Sequence, residues 1–305
     1  MSLVAPPARA AWHTPPMSRG PTVQRRRLAA ELRSQRDHAG LTPDDAARAA
    51  DISKSALWRL ESGSVKPRVP VVRSLLLAYG TDPDLTAVLL QLARDAGQPG
   101  WWHQYGGAYP DWFEVYIGLE GEATELCVYQ IQLIPGILQT EAYARAIIAA
   151  DHGDKSTVEI DRMVRFRMAR RSVLDRPEPS ALRIVLDEAA LHRTVGGPEV
   201  MRGQLEHLLT IADHLAVCLR ILPFDAGAHP AMGTPFTILA FDQDPAVVYL
   251  ENFVSAVYPE RPDQLTRFTL AFSHLCDTAL TPTQSIEAIR DHMVTMTAVG
   301  EERER

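Results

Sequence analysis

The stretch LTPDDAARAADISKSALWRLESG, residues 41–63, decides how the first third of the chain folds. Thr42 can cap a helix, Pro43 suits its first position, and Asp44 and Asp45 favour the positive end of the aligned peptide dipoles. Ala50-Asp51-Ile52 interrupts this pattern, and Ser53 then caps a second helix that stops at Gly63. On that second helix Leu57 and Leu60 lie three apart and, with Ile52, face a core. Lys54, Ser55, Trp58 and Arg59 fall on the other side at i, i+4 spacing.

Two short helices joined by a three-residue turn form the geometry that lays the second helix in a DNA major groove. The outward groups suit that place. Arg or Lys pairs with guanine O6 and N7, Ser with several acceptors, and an apolar surface with a thymine methyl. Trp58 is the odd member, because its ring makes no bidentate contact. Two readings stand open for it: contact with DNA, or packing against the domain's own neighbours or a second copy.

Working outward, VQRRRLAAELRSQRDHAG (23–40) places Leu28 and Leu32 on one helical face among arginines and ends at Gly40. VPVVRSLLLAYG (69–80) and DPDLTAVLLQLARDAG (82–97) supply a fourth and a fifth helix. Five short helices over 21–97 predict an all-α N-terminal domain. The charge is divided accordingly. The chain carries a formal −7, yet residues 1–80 hold 13 Lys and Arg against 6 Asp and Glu, so a basic head precedes an acidic body. Residues 1–20, rich in Ala and Pro without period, read as a disordered arm.

Residues 25–80 resemble the Xre/Cro-type helix-turn-helix regulators. Gly40-Leu41-Thr42, Ala46-Ala47, Ile52-Ser53, Ser55, Leu57, Arg59, Glu61 and Gly63 stand at that family's offsets without a gap. The resemblance implies base reading by Lys54, Ser55, Trp58 and Arg59, and phosphate contact by Arg33, Lys66 and Arg68. It also implies a structural ion pair between Arg36 and Glu61. Three residues depart from the pattern. Pro43 replaces a glutamine that often clamps the DNA backbone, Asp51 stands where glycine usually turns the chain, and Trp58 replaces a small polar residue.

The aromatic connector QPGWWHQYGGAYPDWFEVY (98–116) holds too many rings for a flexible linker and should pack on the second domain. Its rings could alternatively line a ligand pocket. Residues 117–290 begin with helical text broken at Pro135-Gly136 and then turn to short β-rich runs: LRIVLDE, AVCLRILPF, PFTILAFD and AVVYLEN. They predict an α+β domain, a small sheet with flanking helices on one side and a closing helix at about 262–278. A charged tail, 291–305, follows.

Several function classes find no support in the body. Cys127, Cys218 and Cys276 are far apart in sequence and form no zinc spacing, so they read as buried, reduced thiols. Glu188 and His192 are one pair, too few for a metal, and Asp225 and His229 have no nucleophile to activate. No apolar run reaches the roughly 18 residues that cross a bilayer, and the first residues lack the greasy core of a signal peptide. The expectation is a cytoplasmic, nucleoid-associated protein with no enzymatic activity, cofactor or metal. The arginine helix with Arg162, Arg165, Arg170 and Arg171 is the body's candidate face for an acidic protein partner.

From 98 to 280 the blocks GWWHQY, IPGILQTE, LDEAALHRTVGG, LRILPF and VVYLE resemble, in order and spacing, the uncharacterised C-terminal domain of Xre-type regulators from filamentous actinobacteria. That likeness implies a regulator. A head of this size reads only a few base pairs, so the expectation is a homodimer on double-stranded DNA with two-fold symmetry, the body serving dimerisation and receiving a signal or partner. The alternative that the likeness leaves open is an antitoxin-like protein that captures a small protein encoded by a neighbouring gene and autoregulates its own operon.

Overall fold

The computed structural model describes residues 21–176, 178–259 and 261–303. The expected arm, 1–20, lies outside the described residues. The chain divides into two compact units, the first ending at Gly97 and the second starting at Gln98.

The first unit is built of α1 (Pro21–His38), α2 (Pro43–Ala49), α3 (Lys54–Glu61), α4 (Val69–Ala78) and α5 (Pro83–Ala96). The starts of α2, α3 and α5 have a local cause. The Thr42 hydroxyl accepts from Asp45 N, the Ser53 hydroxyl accepts from Ala56 N, and the Asp82 carboxylate accepts from the amides of Asp84 and Leu85. Pro43 and Pro83 sit in first turns, where a missing N–H costs nothing. Leu28, Leu32, Leu57, Leu75, Leu76 and Leu89 meet in one core that all the helices share. Arg25 is spent on structure rather than surface: it is buried, and its Nε donates to the Ala96 carbonyl, tying α1 to the end of α5.

The second unit opens with the connector, in two short 3-10 turns at Trp101–Tyr105 and Asp111–Phe113. In order there follow α6 (Glu114–Glu120), β1 (Glu125–Gln130), α7 (Glu141–Asp151), α8 (Thr157–Ala169), β2 (Ala181–Asp187), α9 (Ala189–His192), α10 (Pro198–Ala212) and β3 (Val217–Leu222). Then come β4 (Phe236–Ala240), β5 (Val247–Glu251), β6 (Ala256–Val257), α11 (Pro262–Thr278) and α12 (Pro282–Arg303). The strands form one mixed sheet in the order β3-β2-β1-β4-β5-β6. β1, β2 and β3 run parallel through helical crossovers, and the remaining pairs are antiparallel.

Helices cover both faces of this sheet, not one as the sequence suggested. The pleat shows it. Val248 packs in a cluster with Phe272 and Leu275 of α11, while its neighbour Tyr249 points the other way and meets the Tyr116 ring of α6 at 4.1 Å. A second closing helix, α12, also went unforeseen; residues 291–303 of the expected tail continue it. Its entry caps the edge of the sheet. On β3 the Ile221 carbonyl accepts from Leu280 N, and Ile221 N donates to the buried Ser285 hydroxyl at 2.9 Å. Edge-strand groups that would otherwise be open are thereby satisfied.

The connector belongs to the second unit. Trp101 stacks on Phe166 of α8 at 5.8 Å, Tyr109 approaches the same ring at 4.7 Å, and Trp102 is buried. These rings are spent on packing. At the centre lies a buried ion pair: Arg170 donates from Nε and Nη2 to the two oxygens of Glu120 at 2.8 and 2.7 Å. Its guanidinium also lies over the rings of Phe113 and Tyr116. Burial alone would disfavour the Arg170 charge, but Glu120 more than reverses this and holds it protonated.

The break at Pro135-Gly136 serves the same centre. A Cβ on Gly136 would come within 3.0 Å of Arg170 Nη1, so glycine lets the loop pass over a fixed guanidinium. Gln139 and Gln204, both buried, hold this loop through the carbonyls of Ile134 and Leu138. Replacing Glu120 with Gln should leave the Arg170 charge buried without a counter-charge and cost about 3–5 kcal/mol. Urea unfolding of the Glu120→Gln chain, followed by near-ultraviolet circular dichroism of the second unit's aromatic cluster, measures that loss.

Candidate nucleic-acid interface

The exposed side of α3 and the turn before it form the candidate site. α2 ends at Ala49, and after Ala50 the chain reverses through Asp51, whose φ of 52° is the left-handed conformation that glycine adopts without strain. Asp accepts this more readily than most residues, and Ile52 N closes the turn on the Ala47 carbonyl at 3.0 Å. Gly63, with φ 69°, ends α3. Leu57 and Leu60 are buried beneath the helix, so Lys54, Ser55, Trp58 and Arg59 all stand exposed on its other side.

One ion pair fixes α3 against α1. Arg36 Nε donates to Glu61 Oε1 at 2.8 Å, and Arg36 Nη1 reaches the Leu41 carbonyl at 3.1 Å. The bond to Glu61 raises the Arg36 pKa despite partial burial. Tyr79 is buried beside this pair; burial pushes its hydroxyl well above the usual phenol range, so it stays neutral.

The reading-face groups are held by short-range contacts of their own. Lys54 Nζ is 2.9 Å from Asp44 on α2, and Arg59 Nε lies back along its helix to the Ser55 carbonyl at 3.3 Å. The Ser55 and Ser53 hydroxyls are 3.0 Å apart. Trp58 is 68 % exposed. That exposure removes packing against the domain's own side chains as an account of it. Arg33, Lys66 and Arg68 are exposed as well. The first turn of α2 offers no cationic group: Pro43 has no N–H, and the Thr42 hydroxyl donates to Asp45, whose carboxyl this bond holds below its ordinary pKa.

In the second unit the arginine face shrinks. Arg170 cannot meet a partner, because its guanidinium is buried and doubly bonded to Glu120. Arg162 and Arg165 are exposed, Arg162 reaching the Gly106 carbonyl at 3.4 Å, and Arg171 is half-buried. Glu188 lies 3.3 Å from His192, while its other oxygen accepts from Phe224 N. His229 faces the Tyr129 hydroxyl at 3.4 Å. Among the described residues no group of three His, Cys, Asp or Glu is placed to hold a metal, and no helix is long and apolar enough to cross a membrane. The Lys54–Asp44 contact carries no signal in the sequence, because it forms only once α2 and α3 are both in place.

Residues 27–89 match a family described as a helix-turn-helix domain. Residues 113–291 match the family described as a domain of unknown function, DUF5753. The second match spans more than half of the chain, which therefore belongs to that family. No curated protein and no solved structure matches the chain. The helical first unit is thus a helix-turn-helix domain, the kind of domain with which regulators bind DNA.

Asp44 holds Lys54 and presents a negative charge beside the exposed face of α3. Exposed pairs of this type are worth at most about 1 kcal/mol. Asp44→Asn should therefore tighten binding to random duplex DNA by up to about fivefold at low salt, with a steeper salt dependence. Fluorescence anisotropy across a salt series checks both.

Proposed function

We propose that this protein is a sequence-specific transcriptional regulator of the Xre/Cro type that binds a two-fold operator as a homodimer. The observation that carries the reading is the exposed face of α3, where Lys54, Ser55, Trp58 and Arg59 project from a helix that Ser53, Leu57 and Glu61 fix in place. One such helix reads only a few base pairs, and two-fold duplication is how domains of this size reach useful specificity. Arg59 and Lys54 select bases, Arg33, Lys66 and Arg68 anchor phosphates, and Trp58 packs against the groove wall or a thymine methyl. The second unit provides dimerisation and receives a signal or a protein partner; it performs no catalysis. The protein acts where the DNA is, in the cell interior.

Two substitutions separate reading from anchoring. Arg59→Ala should cost about 1–3 kcal/mol on the preferred operator and relax selection at one base position, while leaving random DNA almost unaffected. Arg33→Ala should weaken all sequences alike and reduce the salt slope by about one. Binding selections from a randomised duplex library, followed by titrations on the recovered site, measure the two effects. Equal losses on specific and random DNA in both variants would remove the assignment.

A further inference from the structure

The three cysteines, remote in sequence, converge on one face of the sheet. In the parallel register β1-β2-β3, Cys127 stands opposite Arg183, and Arg183 opposite Cys218, so all three side chains share a face. α11 crosses that face and comes within 8 Å of β3 between Cα atoms. Its Cys276 sulfur accepts from Arg183 Nη2 at 3.8 Å, and its Cys276 carbonyl accepts from Arg220 Nη1 at 3.2 Å. Arg220 is two residues along β3 from Cys218, on the same side. The backbone of Cys276 is thus pinned over the strand that carries Cys218.

We infer that Cys218 and Cys276 form a redox-active thiol pair that a hydroperoxide converts to a disulfide, stapling α11 to the edge strand β3.

Cys127 and Cys218 are two strand spacings apart, about 10 Å, beyond the reach of a disulfide, so a bridge has to run through Cys276 of the overlying helix. Cys276 also packs against the cluster that holds Cys127, and exposure decides between the two partners. Cys218 and Cys276 are both partly exposed, whereas Cys127 is buried and burial pushes its thiol up to about 12. Burial raises the Cys276 thiol on balance; the guanidinium groups of Arg183 and Arg220 offset part of this, and the nearby Cys218 adds to it. The thiolate fraction that remains is the nucleophile.

The chemistry closes without a further reagent. A Cys276 thiolate attacks the outer oxygen of the hydroperoxide, the O–O bond breaks, and an alcohol (water, from hydrogen peroxide) leaves with one proton. The Cys218 sulfur then attacks the sulfenic sulfur, the S–S bond forms, and hydroxide leaves with the Cys218 proton as water. Two thiols lose two electrons, and the peroxide gains them.

The test uses the full chain and hydrogen peroxide. After brief stoichiometric treatment, alkylatable thiols per chain should fall from three to one, with Cys127 the survivor. Peptide mapping without reductant should find Cys218 joined to Cys276, and dithiothreitol should restore all three thiols. Cys127→Ser should behave alike, falling from two thiols to none, while Cys276→Ser should keep both of its thiols free of any intramolecular link. Three unreacted thiols, oxidation to sulfinic acid without a link, a bridge to Cys127, or bridges only between chains would each overturn the assignment. Because the untreated wild-type chain supplies the main readout, no variant has to fold for the result to count, and the outcome does not depend on whether DNA is bound.

Discussion

The Arg36–Glu61 pair is the constraint on which the reading helix depends. A single guanidinium reaches three elements: it belongs to α1, bonds Glu61 at the end of α3, and bonds the Leu41 carbonyl just before α2. Both side chains are largely removed from water, so the pair tolerates little error in geometry; a charge held away from its partner would cost several kcal/mol. Leucines in the same place could give as much stability. They would not fix the rotation of α3 as tightly, because apolar packing is less directional than a hydrogen-bonded pair. The second unit repeats the device with Arg170 and Glu120, and there the loop at Gly136 is shaped around the charge.

The first unit was legible because its determinants are local. Thr42, Ser53 and Gly63 mark helix ends within one turn of the residues they serve, and Leu57 with Leu60 reports the buried side by spacing alone. Asp51 was legible for the same reason, since a three-residue turn demands a left-handed residue near its centre. That the outward Trp58 ring packs on none of its own domain's side chains was not readable, because its spacing leaves open what lies beyond the helix. Nor was the capture of Lys54 by Asp44, which requires two helices to be placed before a ten-residue separation becomes 2.9 Å.

In the second unit the failures come from distance along the chain. Arg162, Arg165, Arg170 and Arg171 look alike in sequence, and only Glu120, fifty residues earlier, separates the buried arginine from its exposed neighbours. The β-rich runs were recognised as strands, and the near-continuous apolar runs FTIL and VVYL carry the pattern of burial on both faces, but what covers the second face comes from remote segments such as Tyr116 of α6. The thiols show the limit most plainly. Cys127 and Cys218 were judged apart because 91 residues separate them, whereas parallel strands placed on either side of Arg183 put them in one row.

The distribution of charge across the first unit separates anchoring from selection. Where related domains clamp a phosphate with the start of the second helix, this chain has Pro43, Asp44 and Asp45, which offer the phosphate no donor side chain and two negative charges. Under the proposed reading, backbone attraction must then come from Arg33 on one flank and from Lys66 and Arg68 on the other. In that reading α3 enters the groove with Lys54 and Arg59 already engaged, by a carboxylate and by a backbone carbonyl. DNA has to replace both contacts. A matching base edge does so with a charge-assisted bond, while random sequence forfeits them for weaker contacts. In the proposed reading Asp44 thus lowers affinity for every sequence, but proportionally more for those that give Lys54 nothing better to bind.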